Sequence, residues 1–455
     1  MSSLSSILEI AKKSLNANQV GISVTSHNIS NASAPGYSRQ RLTMSASLPE
    51  KTMFGYLGTG VTPATVQRMR EKFLDAQTQI ATMDYGQAAK KEQMLKLAES
   101  YFQEPSSGGL NAMMTNFFNA FQNLSLHPEE SASRNAVIQN ATIMNDSFHR
   151  LSSGLTDLER EVYNEAVTKV DKINGFLKTI AGLDNTITSA VSQGLQPNDV
   201  KDQRDKLLTD LAQLVNIKAT ENEQGGTTIA IGGSTVVTNG NAVTLSITST
   251  AGKIKILPNN SSTEVTITSG ELGALTTLYD TTISGYREQL DSVAKAMIDR
   301  INEIHSAGYG IGNPPSTGVD FFTGTDAVSI ELNPALLSNI NLIAASKDGS
   351  PGNNEVALEI SGVQNERLMY SNTSSVMQYY NSIVSRLGSE IQLLDTESTS
   401  KQLVLEQLQT QQNSVAGVSL DEEMTNLIQY QHGFDAAARV VNTVNEMFET
   451  LLNMR

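Results

Sequence analysis

Cysteine is absent from the 455 residues, which removes disulfides, thiolate nucleophiles and cysteine-ligated metals together. Uninterrupted apolar runs of about eighteen residues are missing too, so no segment reads as a bilayer-spanning helix. Basic charge is short: 32 Lys and Arg against 47 Asp and Glu leave a net charge of −15. That is the wrong sign for neutralising a phosphate backbone or for settling on an anionic leaflet. Nucleic acid and membrane insertion are therefore not expected. The first residues, Met1 to Leu15, are interrupted by Glu9, Lys12 and Lys13 and do not read as a secretory signal peptide.

Chemical signatures are also scarce. His27, His127, His149, His305 and His432 are scattered, and none forms a His-Glu-x-x-His pair that holds zinc on one helix face. Gly308, Gly310 and Gly312 follow a helical pattern, with no Lys-Ser/Thr after them, so they read as a loop and not as a phosphate cradle. The sequence predicts no catalytic residue, no metal site and no cofactor.

What the chain does contain is helical periodicity. Apolar residues make up 39%, a modest share that suits thin helical units whose cores are seams. A chain of this length exceeds one compact core, so an elongated multidomain protein is expected. Leu8, Leu15, Ile22 and Ile29 form a heptad row, with Leu4 beside them. The row stops at Ala34-Pro35-Gly36-Tyr37, where Pro then Gly predict a type II turn. Tyr37 to Val66 is rich in turn residues and reads as an irregular connector, with Val and Thr near Val61 to Val66 suiting a short extended stretch. Helical spacing returns from Met69 to Tyr101 and breaks at the loop Glu104-Pro105-Ser106. A short helix carries Met113, Phe117 and Phe121. A run from Val137 to Ile187 then predicts a rod of about 60 residues, on the order of 90 Å.

Past a helix from Asp199 to Val215, the pattern changes to Thr, Val and Ile clusters separated by Gly-Gly and Asn-Gly, the grammar of short strands and tight turns. Leu278 to His305 is helical, and Gly308 to Pro351 is read as rejoining this insertion. A long helix is expected from about Asn354 to Asn413. The fold class is thus mainly α with a β-rich insertion: paired N- and C-terminal helices, a long helical rod domain and an outer β domain. The corresponding domains are 1–40 with 415–455, 41–215 with 352–414, and 216–351.

The C-terminal segment opens with Ser419-Leu420-Asp421-Glu422, which reads as a capping box with acids at the positive end of the helix dipole. Two heptad rows follow, Leu427, Phe434, Val441 and Phe448, then Tyr430, Ala437, Val444 and Leu451. Apolar seams at both termini are unusual, because termini fray unless tied down. The expected arrangement is an antiparallel pair of terminal helices. A lone pair buries too little to stand by itself, so these seams are expected to pack on other subunits.

The segment Ser26-His27-Asn28-Ile29-Ser30-Asn31-Ala32, followed by Pro35-Gly36-Tyr37-Ser38-Arg39-Gln40, resembles the N-terminal signature of the flagellar axial protein family, with Ser38-Arg39-Gln40 similar to its hook-associated members. Gly417 to Met424, Tyr430-Gln431 and Ala436 to Val440 resemble the tail of the same members, and Asn198 to Asp205, Leu290 to Ala294 and Ile301 to His305 extend the likeness inward. The resemblance implies a structural subunit of the hook–filament junction. It also implies export through the flagellar type III apparatus without a cleaved signal peptide, with extracellular assembly into a ring. Its partners would be further copies of itself, hook protein, a second junction protein and an export chaperone. The residues it singles out for assembly are Asn28, Asn31, Pro35, Gly36 and Tyr37, beside the seam residues above. Hook or rod protein is the nearest alternative, and an enzyme or adhesin carried by Asn216 to Pro351 is another.

Overall fold

A computed structural model describes residues 2–52, 55–102, 104, 106–259 and 261–453; Pro105 of the loop read above lies outside them. The chain opens with α1 (Ser2–Ser30) and turns at Pro35-Gly36, where Gly36 has φ +81° and Tyr37 N–H donates to Ala34 O at 3.2 Å. This is the type II turn that the sequence predicts. The stretch read as an irregular connector is instead an antiparallel arm. Strands β1 (Gln40–Ala46) and β4 (Val61–Arg68) pair from Gln40↔Arg68 to Ala46↔Val61, and β2 (Glu50–Thr52) pairs with β3 (Gly55–Leu57) at the tip. Its alternation is weak because most of β1 is exposed and only Gln40 and Leu42, near its start, are buried.

Four helices follow: α2 (Lys72–Phe102), α3 (Leu110–Leu126), α4 (Ser131–Ser192) and α5 (Asn198–Leu214). Helix α4, 62 residues long, buries Val137, Ala141, Met144, Phe148, Leu151 and their successors at steps of three and four, the interval that keeps one stripe facing a core. It stops at Gly194, which has φ +76°, shortly before Pro197. Next come β5 (Ile217–Glu221), β6 (Thr227–Ile231), β7 (Ser234–Thr238) and β8 (Asn241–Ala242), a four-stranded antiparallel meander. A separate hairpin is formed by β9 (Leu245–Thr250) and β10 (Lys253–Pro258). Helix α6 (Gly270–Thr277) passes through a π-helical turn, Leu278–Ile283, into α7 (Ser284–Ala307). That turn aims Asp280 at the Ile254 N–H, 2.7 Å away, and Tyr279 at Ser249, which pins the β9–β10 hairpin.

Gly308 to Pro351 does not rejoin the strand-rich insertion. It contains β11 (Phe322–Thr323), β12 (Glu331–Leu332) and α8 (Pro334–Ser338), and it packs on the first half of α4, where His149 Nε2 lies 2.8 Å from Ile330 O. The strands lie against the second half instead, through Asn174 to Leu245 and Asp184 to Thr227. The reason is aromatic: Phe321 and Phe322 bury into Phe117, and Phe321 also meets Phe121, of α3.

The long helix expected from Asn354 is also divided. Helix α9 (Glu355–Gly362) precedes a hairpin of β13 (Arg367–Met369) and β14 (Ser374–Ser375), and only then does α10 (Val376–Ala416) begin. A complete capping box between Ser375 and Gln378 sets that start. The chain finishes with α11 (Leu420–Asn453). One hydrophobic core runs from Met94 to Leu394 around α4; the buried residues Ala11, Ala17, Ala437 and Val444 of α1 and α11 lie outside it. Among the described residues, no helix is long and apolar enough to cross a membrane.

Candidate assembly site

Helices α1 and α11 run antiparallel, with Asn28 meeting Glu423 at one end and Gly21 facing Tyr430 further along. Two glycines permit the close approach. A Cβ on Gly21 would stand 2.7 Å from the Tyr430 ring, and one on Gly433 would stand 2.6 Å from Asn18 Oδ1. The heptad residues Leu4, Leu8, Leu15, Ile22 and Ile29 are half-buried. So are Leu427, Tyr430, Phe434, Val441 and Phe448, whereas Val444 is buried and Leu451 is 49% exposed.

The two helices are covered unequally. The β1–β4 arm lies along α1, with Gly60 against Ile10, so α1 is flanked by the arm and by α11. Helix α11 packs chiefly on α1 alone. Its remaining surface presents Leu420, Met424, Ile428, Val440, Met447 and Leu451 to solvent, an apolar set beyond the scattered single residues normal for a surface.

Where the pair meets the body, the signature residues converge. Asn28, fully buried, uses every hydrogen-bonding position it has. Its Nδ2 donates to Gln40 O at 2.8 Å and to Glu423 Oε2 at 3.0 Å, and its Oδ1 accepts from Tyr37 OH at 2.8 Å and Gln40 N–H at 2.9 Å. Only an amide offers two donors and two acceptors in that shape. Arg39 donates from Nε to Glu423 at 2.8 Å and from Nη1 to Glu422 at 2.7 Å. The acidic start of α11 is thus not the capping box expected from sequence. Glu422 turns to Arg39 instead of back to Ser419, because a guanidinium in reach outweighs a neutral backbone donor.

On the other side, Ser38 donates through N–H and Oγ to Asp202 at 2.9 and 2.7 Å, and Gln40 donates to Asp199 at 2.7 Å. Arg68 bridges Asp202 and Asp205 at 2.7 and 2.8 Å, Arg70 reaches Asp205 at 3.1 Å, and Arg204 touches Asp184, Asp205 and Glu221. Burial acts to raise Asp205, but Arg68, Arg70 and Arg204 outweigh it and hold the carboxyl below the usual range. Burial, reinforced by Asp199, Asp202 and Glu423, pushes the Tyr37 phenol up, so it stays a donor to Asn28. With its carboxylates engaged by guanidinium, amide or hydroxyl partners, the network fixes orientation and has the makeup of a staple.

Of the residues singled out in sequence, Asn28 and Tyr37 enter this network and Pro35-Gly36 form the turn that brings them together. Asn31 does not join; its amide bonds back to His27 O within its own turn. Sequence reasoning did not single out Asp199, Asp202, Asp205, Arg68 and Glu423 as site residues. The spacing of three among the aspartates, which places them along one side of a helix, was a signal available for the first three.

A model of the flagellar hook-associated protein FlgK helical domain matches residues 95–322, half of the chain, and one of the flagellar basal body rod FlgEFG protein C-terminal region matches 411–454. Flagellar hook-associated protein 1 of Bacillus subtilis is 28% identical, covering 98% of this chain and 97% of that protein. Its counterpart from Escherichia coli is 26% identical, over 99% and 100%. The structure of the flagellar hook junction protein FlgK from Burkholderia pseudomallei superimposes with a TM-score of 0.65 at 14% identity, covering 75% of this chain and all of that one, which is a likeness of fold.

Proposed function

The chain belongs to the flagellar hook-associated protein FlgK family, and from that membership we propose that it joins the hook to the filament through terminal helices packed in the axial core. It is a structural component of the flagellum and not an enzyme. The observation that carries the finer reading is the unequal covering of the terminal pair: α1 is flanked by two neighbours, while α11 leaves Met424, Ile428, Val440 and Met447 open. Neighbouring copies in a ring cover this surface, with hook protein and a second junction protein at the two rims, and an export chaperone shields it beforehand. The seam residues from Leu4 to Ile29 and from Leu427 to Leu451 form the axial unit, the helices around α4 form the rod, and the strands of residues 217–258 decorate the outside. Export through the type III apparatus delivers the chain to that place outside the cell.

Deleting residues 420–455 tests the reading. The shortened chain should keep the cooperative melt of its body, whose core lies between Met94 and Leu394, and should fail to add to hooks in an assembly assay. Normal addition to hooks would overturn the proposal, as would loss of all helical circular dichroism.

A further inference from the structure

The buried charges Asp184, Asp202, Arg204 and Glu423 each face an opposite charge. Arg134 does not. It lies in the first turns of α4 and is 1% exposed. Its Nε and Nη2 donate to Pro128 O at 3.0 and 2.8 Å, and its Nη1 donates to Ile343 O at 2.6 Å and, more weakly, to Ile340 O at 3.4 Å. A guanidinium has five N–H donors, so one on Nη2 has no acceptor among the described residues. No carboxylate of the described residues pairs with it, and the positive end of the α4 dipole lies close by. Burial pushes Arg134 down to about 10. His305 offers no compensation: its Nε2 accepts from Ala344 N–H at 2.9 Å, and its Nδ1 then donates to Val319 O. An unpaired buried charge is among the most costly features a core can hold.

Arg134 lines a pocket of about 100 Å³ walled by the Tyr309–Gly312 loop and the Ala345–Asn353 loop, and none of the described residues lining it is acidic. Asn353 and Tyr309 are among the lining residues, and Asn353 Oδ1 already accepts from the Lys347 and Glu355 N–H groups, both at 3.1 Å, so its amide offers a pocket guest chiefly N–H donors. Gly310 lets the wall close: a Cβ there would stand 2.3 Å from Asn341 O and 2.6 Å from Ser316 Oγ. The Gly308, Gly310, Gly312 pattern therefore has a steric role at Gly310, beside a cation.

We propose that this pocket binds a small monovalent inorganic anion of halide size, which supplies the counter-charge Arg134 lacks and ties both loops to the start of α4. The volume holds one such ion with a water or two. Chloride and bromide are the probes, with bulky gluconate as the control at equal ionic strength. The full chain should melt about 2 °C higher in chloride than in gluconate, with a saturable dependence on chloride concentration. Crystals grown in bromide should show an anomalous peak beside Arg134, and Arg134→Met should melt at the same temperature in both salts. The bromide peak needs no variant and so decides the matter even if Arg134→Met fails to fold. A pocket without that peak, equal melting of the natural chain in the two salts, or a chloride effect that survives Arg134→Met would each overturn the proposal.

Discussion

Replacing Asn28 by aspartate alters a single group at the point where the terminal helices meet the body. The amide donates to Gln40 O at 2.8 Å and to Glu423 Oε2 at 3.0 Å; a carboxylate presents an acceptor to both. Two unit charges about 4 Å apart repel by about 4 kcal/mol at an effective dielectric constant near 20. The new carboxyl escapes by taking up a proton. From an ordinary aspartate value near 3.9, that costs about 4 kcal/mol at pH 7 and about 1.5 kcal/mol at pH 5. Both routes put the loss near 4 kcal/mol at neutral pH, and the second makes it shrink on acidification. The sign follows from linkage: the folded pKa of the introduced carboxyl lies above its unfolded value, so the variant is least handicapped below the unfolded value and loses ground as pH rises. Thermal melts by circular dichroism at pH 5 and pH 7 read the difference, and hydrogen exchange resolves α1 and α11 from the body. Adding Glu423→Gln should restore most of the loss, since the new amide donates to the introduced carboxylate while its oxygen still accepts from Arg39 Nε. Asn28→Asp melting like the natural chain at pH 7, or no rescue by Glu423→Gln, would refute the reasoning.

Three further outcomes are expected. Gly36→Ala keeps φ +81° only with strain, and its Cβ meets the Lys206 side chain at 3.1 Å, so urea titration should show a loss of about 1–2 kcal/mol. Asp205→Asn should flatten the acid limb of a melting-temperature profile. The lowered folded pKa of Asp205 gives stability that is present above about pH 4 and lost as pH falls through the folded value, so an asparagine has nothing to lose there. Gly21→Val should drive the Tyr430 ring off α1, costing about 1–3 kcal/mol, and should speed proteolysis within α11 while the body stays resistant.

Much of the helical framework was legible. Val137 to Ile187 carried its apolar stripe through an uninterrupted rod, and Pro35-Gly36 fixed its own turn, because both signals are local. Of the arm, only the extended stretch near Val61 to Val66 was legible, and it falls in β4; β1 and the pairing were not, because turn residues crowd the tip and mostly exposed strands show little alternation. The Asn28 network was hidden for a different reason. Asn28 and Glu423 are 395 residues apart, and Ser38 and Asp202 are 164 apart; periodicity reports which face of an element is apolar but says nothing about which distant polar group completes a hydrogen bond. Gly308 to Pro351 was misplaced because Phe321 and Phe322 announce burial without naming the helix that receives them.

The unbroken course of α4 gives the molecule a gauge. The loop region around Ile330 is fastened to its early turns and the strands to its late ones, so their separation is counted out in residues. Removing one residue between the two attachments would shorten the gap by about 1.5 Å and swing one attachment by roughly 100° about the axis relative to the other. Changes in length should therefore be tolerated in steps of about seven or eleven residues, which bring the two ends back nearly into phase.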